Sequence, residues 1–495
     1  MTFDRAVRTI VARPVPAAVS LLAVALLIRA YDFGNPIVHV DEEWYLLVGD
    51  RLLQGARLYL DVWDRKPLGL FAIFAAIRLL PGDGVWAYQL CATAFAAGTA
   101  WLIRHAARLA GAPARGAWVA GAVYILWLSL LSGRGGQAPV FYNLFMAGAA
   151  CLTLRLPMLA DRVSAIVVNG AAACALAGLA IQTKYTPAIE GAFFGCAHLW
   201  FLHRARARVS TLAIAATLWA ALGLLPTALA ALYFAAQGPE AWAAFWFANF
   251  TSITLRHGYP AAKIAARLAG TGAQLLPLLA CALLRWREQK GAMRALLFGW
   301  LAAALVAFAM IGAFFDHYAL PLLLPLAVIA ARPLDRPRLA AGVAVYGLLL
   351  LGFHLIEKPS RDGPGVRRVA AAMAAGSGGR CSYVFAGDAV LYLLAHACLP
   401  TRYAFPSSLA YEPERGAIGV DEAAEVRRIM AARPPMVVTL AKPLAPWNAG
   451  SMAVMAPALR DHYRLVLRVP RQEGGALLLY RRHDDAGTRA PGRGL

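Results

Sequence analysis

Residues 39–69, HVDEEWYLLVGDRLLQGARLYLDVWDRKPLG, form a charged island in an apolar part of the chain. The island contains one histidine and six carboxylate residues, and the basic pair Arg65 and Lys66 stands near its end. Anionic lipids would repel such a carboxylate cluster, so the stretch is poorly suited to anchoring a loop on a membrane. It either carries chemistry or is an ordinary loop of helix caps and solvated charges, because charge runs are usually solvated faces.

Apolar blocks surround this island along most of the chain. With 60% hydrophobic and 15% charged residues, the sequence is more apolar than soluble domains, which average about 45–50% apolar and about 25% charged. Twelve blocks approach the length that crosses a bilayer; they lie near 14–31, 67–80, 84–103, 116–131, 139–154, 163–182, 187–202, 210–234, 268–284, 295–313, 318–331 and 339–356. The sequence therefore predicts an α-helical polytopic membrane protein.

Short basic clusters between the blocks predict how the chain crosses the membrane. They lie at 104–115, 155–162, 203–208, 285–294 and 332–338. If all are cytoplasmic, an even number of spans precedes the first cluster, yet three blocks do so. The block 67–80 is short and contains Arg78, as is typical of interfacial or re-entrant helices. We therefore expect about 11 transmembrane helices in a bacterial inner (plasma) membrane, with a cytoplasmic N-terminus. The alternative is that 67–80 spans and a later block does not.

The same clusters account for most of the formal net charge of +21. Charge distributed in this way is typical of membrane topology and not of a continuous nucleic-acid-binding face. We therefore expect the membrane lipid bilayer as a partner and no nucleic acid. The seven cysteines show no CxxC or Cys/His spacing, so we expect no structural zinc site.

Three segments would face outward under this topology. The first loop, 32–83, contains the charged island, and the second loop, 235–267, carries aromatic residues at helical spacing. The third segment, 357–495, is too polar to be embedded, and its short β-rich and amphipathic stretches predict a small α/β domain. We therefore divide the chain into a transmembrane unit, 1–356, and a periplasmic α/β domain, 357–495.

Two cysteines in the C-terminal domain are candidates for a disulfide bond in an oxidising compartment. Cys381 begins a predicted strand, and Cys398 ends the helix that follows it. The chain doubles back between them, so we predict a Cys381–Cys398 disulfide. Two unpaired thiols are the alternative.

The first loop resembles the GT-C superfamily of integral-membrane glycosyltransferases, in particular its bacterial protein O-mannosyltransferase and aminoarabinose-transferase-like branches. The matching letters are Asp41, Glu42, Tyr45, Gly55, Tyr59, Asp61, Trp63, Asp64, Lys66 and Pro67. GLAIQTKYTPA (178–188) and FDHYALPLLLPLAVIAA (315–331) are similar to two further family segments. The resemblance implies a many-helix GT-C fold, catalysis on the outer face and a polyprenyl-phosphate sugar as donor.

The resemblance also implies roles for individual residues. An acidic residue of the first loop would be the base that takes the acceptor proton; by position this is Asp41, with Glu42 as the second candidate. Cations must stabilise the phosphate that leaves, and the candidates are Lys66, Arg65, Lys184 and His317. Candidate substrate-binding residues are Glu43, Tyr45, Tyr59, Asp64, Arg256 and His257.

Two of these residues have structural alternatives. Lys184 closes an apolar block, where lysines often only extend to the interface. His317 could be a polar residue satisfied by a neighbouring helix. Arg134 and Gln137, in the short loop SGRGGQAP, could also face the site, whereas Asn143 stands where related enzymes often have an acidic residue.

We expect no obligatory cofactor. Asp41, Glu42 and Glu43 supply oxygen ligands suited to Mg²⁺ or Mn²⁺, but adjacent residues rarely all face one ion. The predicted function is sugar transfer to a hydroxyl acceptor on a lipid, glycan or protein. One alternative is a glycolipid flippase or transporter, although transporters place charges near the bilayer midplane. The other is a non-catalytic membrane assembly protein.

Overall fold

The computed structural model describes residues 13–159, 161–357 and 362–483. The first twelve residues, which we expect on the cytoplasmic side, lie outside the described residues. The helices are α1 Pro14–Arg29, α2 Val40–Leu53, α3 Leu68–Arg78, α4 Val85–Leu109, α5 Ala114–Leu130, α6 Ala138–Leu154, α7 Val163–Ile181, α8 Pro187–Arg204, α9 Val209–Ala236, α10 Pro239–Trp246, α11 Ala261–Glu288, α12 Gly291–Met310, α13 Leu323–Ala330, α14 Pro337–Glu357, α15 Gly363–Ser377, α16 Val390–Leu394, α17 Pro406–Ala410, α18 Glu422–Ala431 and α19 Ala449–His462.

Each of the twelve apolar blocks falls on helical structure, so the polytopic α-helical class is confirmed. Among the described residues, six helices are long and apolar enough to cross a membrane by length and composition: α1 with the turn after it, α7, α9, α11, α12 and α14. The helix α3 has 11 residues and is about 16 Å long. It is too short for the ~30 Å hydrocarbon core, in agreement with its prediction as an interfacial or re-entrant helix.

The predicted span 318–331 is not a uniform helix. It begins as a 3₁₀ turn, Asp316–Leu322, and continues as the short helix α13. Pro321 and Pro325 lack the backbone N–H that a regular α-helix needs, which explains the irregular start. Residues 319–331 are all buried, so this segment lies among its neighbours and presents the preceding turn, with His317 and Tyr318, toward the loops.

The second loop contains the expected aromatic helix in two parts. The helix α10 covers Pro239–Trp246, and a π-helical turn, Phe247–Thr251, extends it before a 3₁₀ turn, Ser252–Leu255. Trp242, Trp246 and Phe250 form a chain of ring contacts with centroids 4.8–5.8 Å apart. The π-helical turn places Asn249 inward, where it is buried.

The C-terminal unit, which we define as residues 362–483, contains a four-stranded sheet in the order β1-β2-β4-β3. The strands are β1 Tyr383–Val384, β2 Met436–Leu440, β3 Tyr463–Pro470 and β4 Ala476–Arg482. The pair β1–β2 is parallel and the other two pairs are antiparallel. All four strands fall within stretches that the sequence marks as β-rich, and the small α/β unit is confirmed.

A disulfide joins Cys381 and Cys398, whose Cα atoms lie 5.0 Å apart. It connects the start of β1 to the turn after α16. This turn also contacts the first loop, because Arg51 donates a 2.6 Å hydrogen bond to the Ala397 carbonyl. The C-terminal unit therefore rests directly on the first loop.

Candidate active site

The start of α2 places three acidic side chains in one helical turn. His39 is the N-cap, and its ring nitrogen accepts a 3.3 Å hydrogen bond from the Asp41 N–H. Asp41, Glu42 and Glu43 follow in the first turn, where the helix dipole favours negative charge. Successive residues on a helix point about 100° apart, so the three carboxyl groups enter three different environments.

The Asp41 carboxylate faces side chains from several different segments of the chain. Gln137 donates to its carboxylate at 3.4 Å, and His317 Nε2 lies 4.0 Å from the same oxygen. Burial by itself would raise the pKa of Asp41, but the charge of Lys66 and the Gln137 hydrogen bond contribute to holding that pKa well below its usual range. Asp41 is therefore an ionised carboxylate at neutral pH.

Glu42 points about 100° away from Asp41 and is fully buried against a glycine turn. A Cβ atom on Gly135 would collide with the Glu42 carboxyl group, so a side chain at this position would displace that group. Burial raises the pKa of Glu42 to about 8, and the Gly136 N–H and Arg29 oppose this only in part. Glu42 is thus protonated at neutral pH, which makes it a poor general base.

Glu43 faces the C-terminal unit. Its carboxyl group accepts a 3.5 Å hydrogen bond from the Val390 N–H at the start of α16. A buried ion pair, Arg471 to Asp388 at 2.7 Å, lies nearby, and Asp388 adds to the effect of burial in raising the pKa of Glu43. The structure does not bring Glu43 beside Asp41, although sequence reasoning grouped it with the substrate-binding residues.

Two lysines from distant segments meet beside Asp41. The Asp64 side chain accepts a 2.8 Å hydrogen bond from the Lys66 backbone N–H. The Nζ atom of Lys66 lies 5.6 Å from the centre of the Tyr45 ring. Burial opposes the charge of Lys66, but Asp64 and Asp41 raise its pKa. Lys66 is therefore a permanent cation.

Lys184 has a different character. Its Nζ lies 4.2 Å from the centre of the Tyr318 ring, in a cation–π contact. Burial and, to a smaller extent, the neighbouring charge of Lys66 lower the pKa of Lys184 to about 7, although Asp41 opposes them. Lys184 is half-buried beside the site, with its amine against Tyr318, and titrates near neutral pH.

Two arginines lie at the boundary between the loops and the C-terminal unit. Arg65 donates to Ser252 at 2.6 Å and to Glu414 at 2.6 Å. Arg256 donates to the other oxygen of Glu414 at 2.7 Å and also interacts electrostatically with the nearby Tyr318 hydroxyl. His257, the next residue, is exposed.

Tyr59 supports the loop that carries Lys66. Its backbone has a φ of 70°, which is uncommon for a residue with a side chain and requires compensating contacts. The buried hydroxyl supplies one by donating to the Lys66 carbonyl at 2.8 Å, with Asn249 close by at 3.3 Å. The structure therefore gives Tyr59 a role in holding Lys66, and this role does not require contact with a substrate.

The described residues thus place an anionic carboxylate, a permanent cation and a titrating lysine around one centre. No protein-family model matches the sequence, and no curated protein matches it. Solved structures do match. ArnT from Cupriavidus metallidurans bound to undecaprenyl phosphate superposes with a TM-score of 0.65 at 16% identity, covering 95% of this chain and 99% of that chain. The apo state of the same protein gives the same values.

A second match extends the comparison. The Archaeoglobus fulgidus oligosaccharyltransferase, tethered to an acceptor peptide, gives a TM-score of 0.52 at 11% identity, covering 93% of this chain and 74% of that chain. Both proteins are GT-C glycosyltransferases. This chain has the GT-C fold. At these identities the similarity concerns the fold, and the activity has to be argued from the site.

Sequence reasoning missed two residues of this candidate site. Tyr318 touches both Lys184 and Arg256, and its signal was the His-Tyr dipeptide that follows Asp316. Glu414 gave no local signal, because its partners stand 349 and 158 residues away in the sequence.

The candidate site contains several possible oxygen and nitrogen ligands, but those that the structure describes do not form a metal site. Within the part of the chain that the structure describes, no group of three or more His, Cys, Asp or Glu side chains is placed to hold a metal ion. In α2, Asp41, Glu42 and Glu43 point into three different environments. That the protein needs no obligatory metal stays a prediction.

Proposed function

We propose that the protein transfers a sugar from a polyprenyl-phosphate donor to a hydroxyl group of a lipid, glycan or protein. The observation that supports this most directly is the ionised Asp41 carboxylate beside Lys66 and Lys184. Sugar transfer from a lipid phosphate needs a proton acceptor and cations close together. The GT-C fold, shared with a transferase bound to undecaprenyl phosphate, is consistent with such a donor.

The Asp41 carboxylate and the two lysines have separate roles in the reaction. Asp41 accepts the proton of the acceptor hydroxyl while its oxygen attacks the anomeric carbon. The bond from that carbon to the phosphate oxygen breaks, and its electron pair remains on the phosphate. Lys66 and protonated Lys184 stabilise the charge that builds up there. The products are the glycosylated acceptor and polyprenyl phosphate.

A neutral Glu42 does not compete with Asp41 for the acceptor proton. Because Asp41 has a low pKa, it is a weak base. A weak base is sufficient when cations already stabilise the leaving phosphate and the acceptor proton is transferred late in the attack. His317, 4.0 Å from Asp41, can receive the proton from the carboxylate and return it to solvent. Asp41 would then be regenerated for the next turnover.

We also propose that this site faces outward from a bacterial inner membrane, with a cytoplasmic N-terminus and residues 357–495 in the periplasm. The basic clusters between the apolar blocks support this orientation. A phosphatase reporter fused after Arg367 should be active, and one fused after Arg206 should be silent. The opposite pattern would reverse the orientation.

The activity is tested with purified protein, a radiolabelled polyprenyl-phosphate sugar and a cell-envelope extract. The proposed function predicts that the label enters an acceptor. Label that crosses a vesicle bilayer while still attached to the lipid would indicate the flippase alternative instead. Loss of transfer in Asp41→Asn, with transfer retained in Asp61→Asn, would assign the activity to the site, because Asp61 pairs with Arg57 on the exposed part of the same loop.

A further inference from the structure

The C-terminal unit reaches the candidate site through one carboxylate. Glu414 ends a 3₁₀ turn, Glu412–Glu414, and its side chain is only 11% exposed. One oxygen lies 2.6 Å from the Arg65 guanidinium of the first loop. The other lies 2.7 Å from the Arg256 guanidinium of the second loop. Glu414 therefore bridges three segments that are far apart in the sequence.

The two arginines that Glu414 binds, Arg65 and Arg256, differ in how many other partners hold them. Arg65 has further partners, because it also donates to Ser252 at 2.6 Å and to the Ala417 carbonyl at 3.1 Å. Arg256 follows the end of a 3₁₀ turn in extended backbone, and its described contacts are Glu414 and the Tyr318 hydroxyl. The position of Arg256 therefore depends more strongly on Glu414 than that of Arg65 does.

The contact with Tyr318 links this bridge to the phosphate-binding cations. The Tyr318 ring lies beneath Lys184, and Arg256 is close enough to Lys66 for their charges to repel. A long cationic side chain among other cations tends to move away from them unless an anion holds it. Glu414 supplies that anion from the C-terminal unit.

We propose that Glu414 is a positioning residue, through which the C-terminal unit holds Arg256 at the donor-phosphate site. This inference rests on the proposed function, because it assumes that a lipid phosphate binds between Lys66, Lys184 and Arg256. Glu414 itself does not touch the phosphate. Its loss should weaken donor binding and leave the rate of the chemical step on bound donor largely unchanged.

Glu412 provides a matched control in the same turn. It pairs with Arg415 on the exposed surface at 3.0 Å, where both side chains are at least 40% exposed. Exposed pairs of this kind contribute little to stability. Glu412→Gln therefore makes the same chemical change two residues away without breaking the bridge.

The test is direct binding of sugar-free polyprenyl phosphate to the full-length protein in nanodiscs, together with melting temperature and single-turnover rate. In Glu414→Gln, the amide can accept a hydrogen bond from one arginine but repels the other donor. We expect the Kd of this variant to rise at least about tenfold, the lower end for loss of a charge-assisted hydrogen bond. Glu412→Gln should bind like the wild type, and the single-turnover rate of Glu414→Gln at saturating donor should stay within about threefold of the wild-type rate.

Unchanged or tighter binding by folded Glu414→Gln would overturn the inference, since tighter binding would mean that Glu414 competes with the phosphate. If Glu414→Gln does not fold, Arg256→Gln replaces it, and wild-type affinity in that variant overturns the inference equally. Wild-type protein that binds no polyprenyl phosphate would overturn the proposed function and this inference together. Normal wild-type binding with an unaffected Glu414→Gln would overturn this inference alone.

Discussion

The pockets around Asp41 and Glu42 differ sharply although the two residues are adjacent on α2. The Asp41 carboxylate faces Lys66, His317 and the Gln137 amide, whereas the Glu42 carboxyl group faces a glycine turn and is fully buried. Burial disfavours the charged form in both pockets. Only the Asp41 pocket supplies enough positive charge to reverse that effect.

The comparison shows that a carboxyl group's role follows from its surroundings and not from its position in a motif. One helical step of rotation separates an ionised group from a protonated one. A base must be ionised before the acceptor arrives, so the same difference separates a candidate catalyst from a structural residue. Variants of the Asp41 pocket and of Glu42 test this difference.

The largest effect is expected from Asp41→Asn. Asparagine keeps the size and can still hydrogen-bond Gln137, but it cannot accept a proton. Turnover should fall by about 10²–10⁴-fold, while donor affinity stays close to the wild-type value. Single-turnover rate and donor binding measured on folded protein provide the check. A rate near that of the wild type would remove Asp41 from the mechanism.

Lys66→Ala should have the next largest effect. It removes the permanent cation of the Asp41 pocket and leaves Asp64 and Asp41 without their shared partner. Donor affinity should weaken by about 1.5–3 kcal/mol, the usual range for a charge-assisted hydrogen bond, and turnover should also fall. Equilibrium binding of the labelled donor measures the first quantity. If the variant loses thermal stability and donor binding together, the loss of affinity is not specific. That result would indicate that Lys66 only shapes the loop.

A smaller effect should appear as a pH dependence at Lys184. Its pKa of about 7 means that the cation is lost as pH rises through neutrality, so the affinity for a phosphodiester donor should fall between pH 6.5 and 8.5. The donor keeps one negative charge over this range, and we expect a loss of up to about tenfold. Lys184→Arg, which stays charged, should bind the donor with little dependence on pH. An equally steep dependence in that variant would assign the titration to another group.

Much of the fold followed from local patterns. Apolar block lengths predicted the helices, and short β-rich stretches in the C-terminal segment predicted its strands, because hydropathy and β-propensity act over a few residues. The prolines at 321 and 325 could have predicted the irregular start of α13, but block length alone concealed it. Local pattern also identified Asp41 and Lys66, which lie in one loop.

The rest of the site depended on information that a single sequence does not carry. The direction of Glu43 is set by how α2 packs on α16, and no spacing rule gives that rotation. Glu414 joins Arg65 and Arg256 only after three segments dock. Ranking Glu42 as a second base was reasonable from its place in the motif, but its burial against Gly135 raises the pKa of its carboxyl group.

The smallest effect on catalysis is expected from Glu42→Gln. Glutamine is nearly isosteric with a protonated glutamate, so turnover at pH 7 should stay within about threefold of the wild-type rate. Stability should instead respond to pH. The pKa of Glu42 is raised from 4.5 to about 8 on folding, so the folded state holds a proton that the unfolded state releases. The stability that this proton contributes is complete below pH 4.5 and is lost as pH rises through 8, with a slope of up to about 1.4 kcal/mol per pH unit.

Glutamine does not titrate, so the variant should gain stability relative to the wild type as pH rises from 5 to 8. Thermal unfolding of both proteins in the same detergent across this range measures the difference. The exposed Asp61→Asn variant serves as a control that should show no such trend. A Glu42→Gln protein that loses turnover as strongly as Asp41→Asn would show that the two pockets act together. A constant stability difference across the pH range would show that Glu42 is already ionised in the folded protein, and the contrast between the two carboxyl groups would fail.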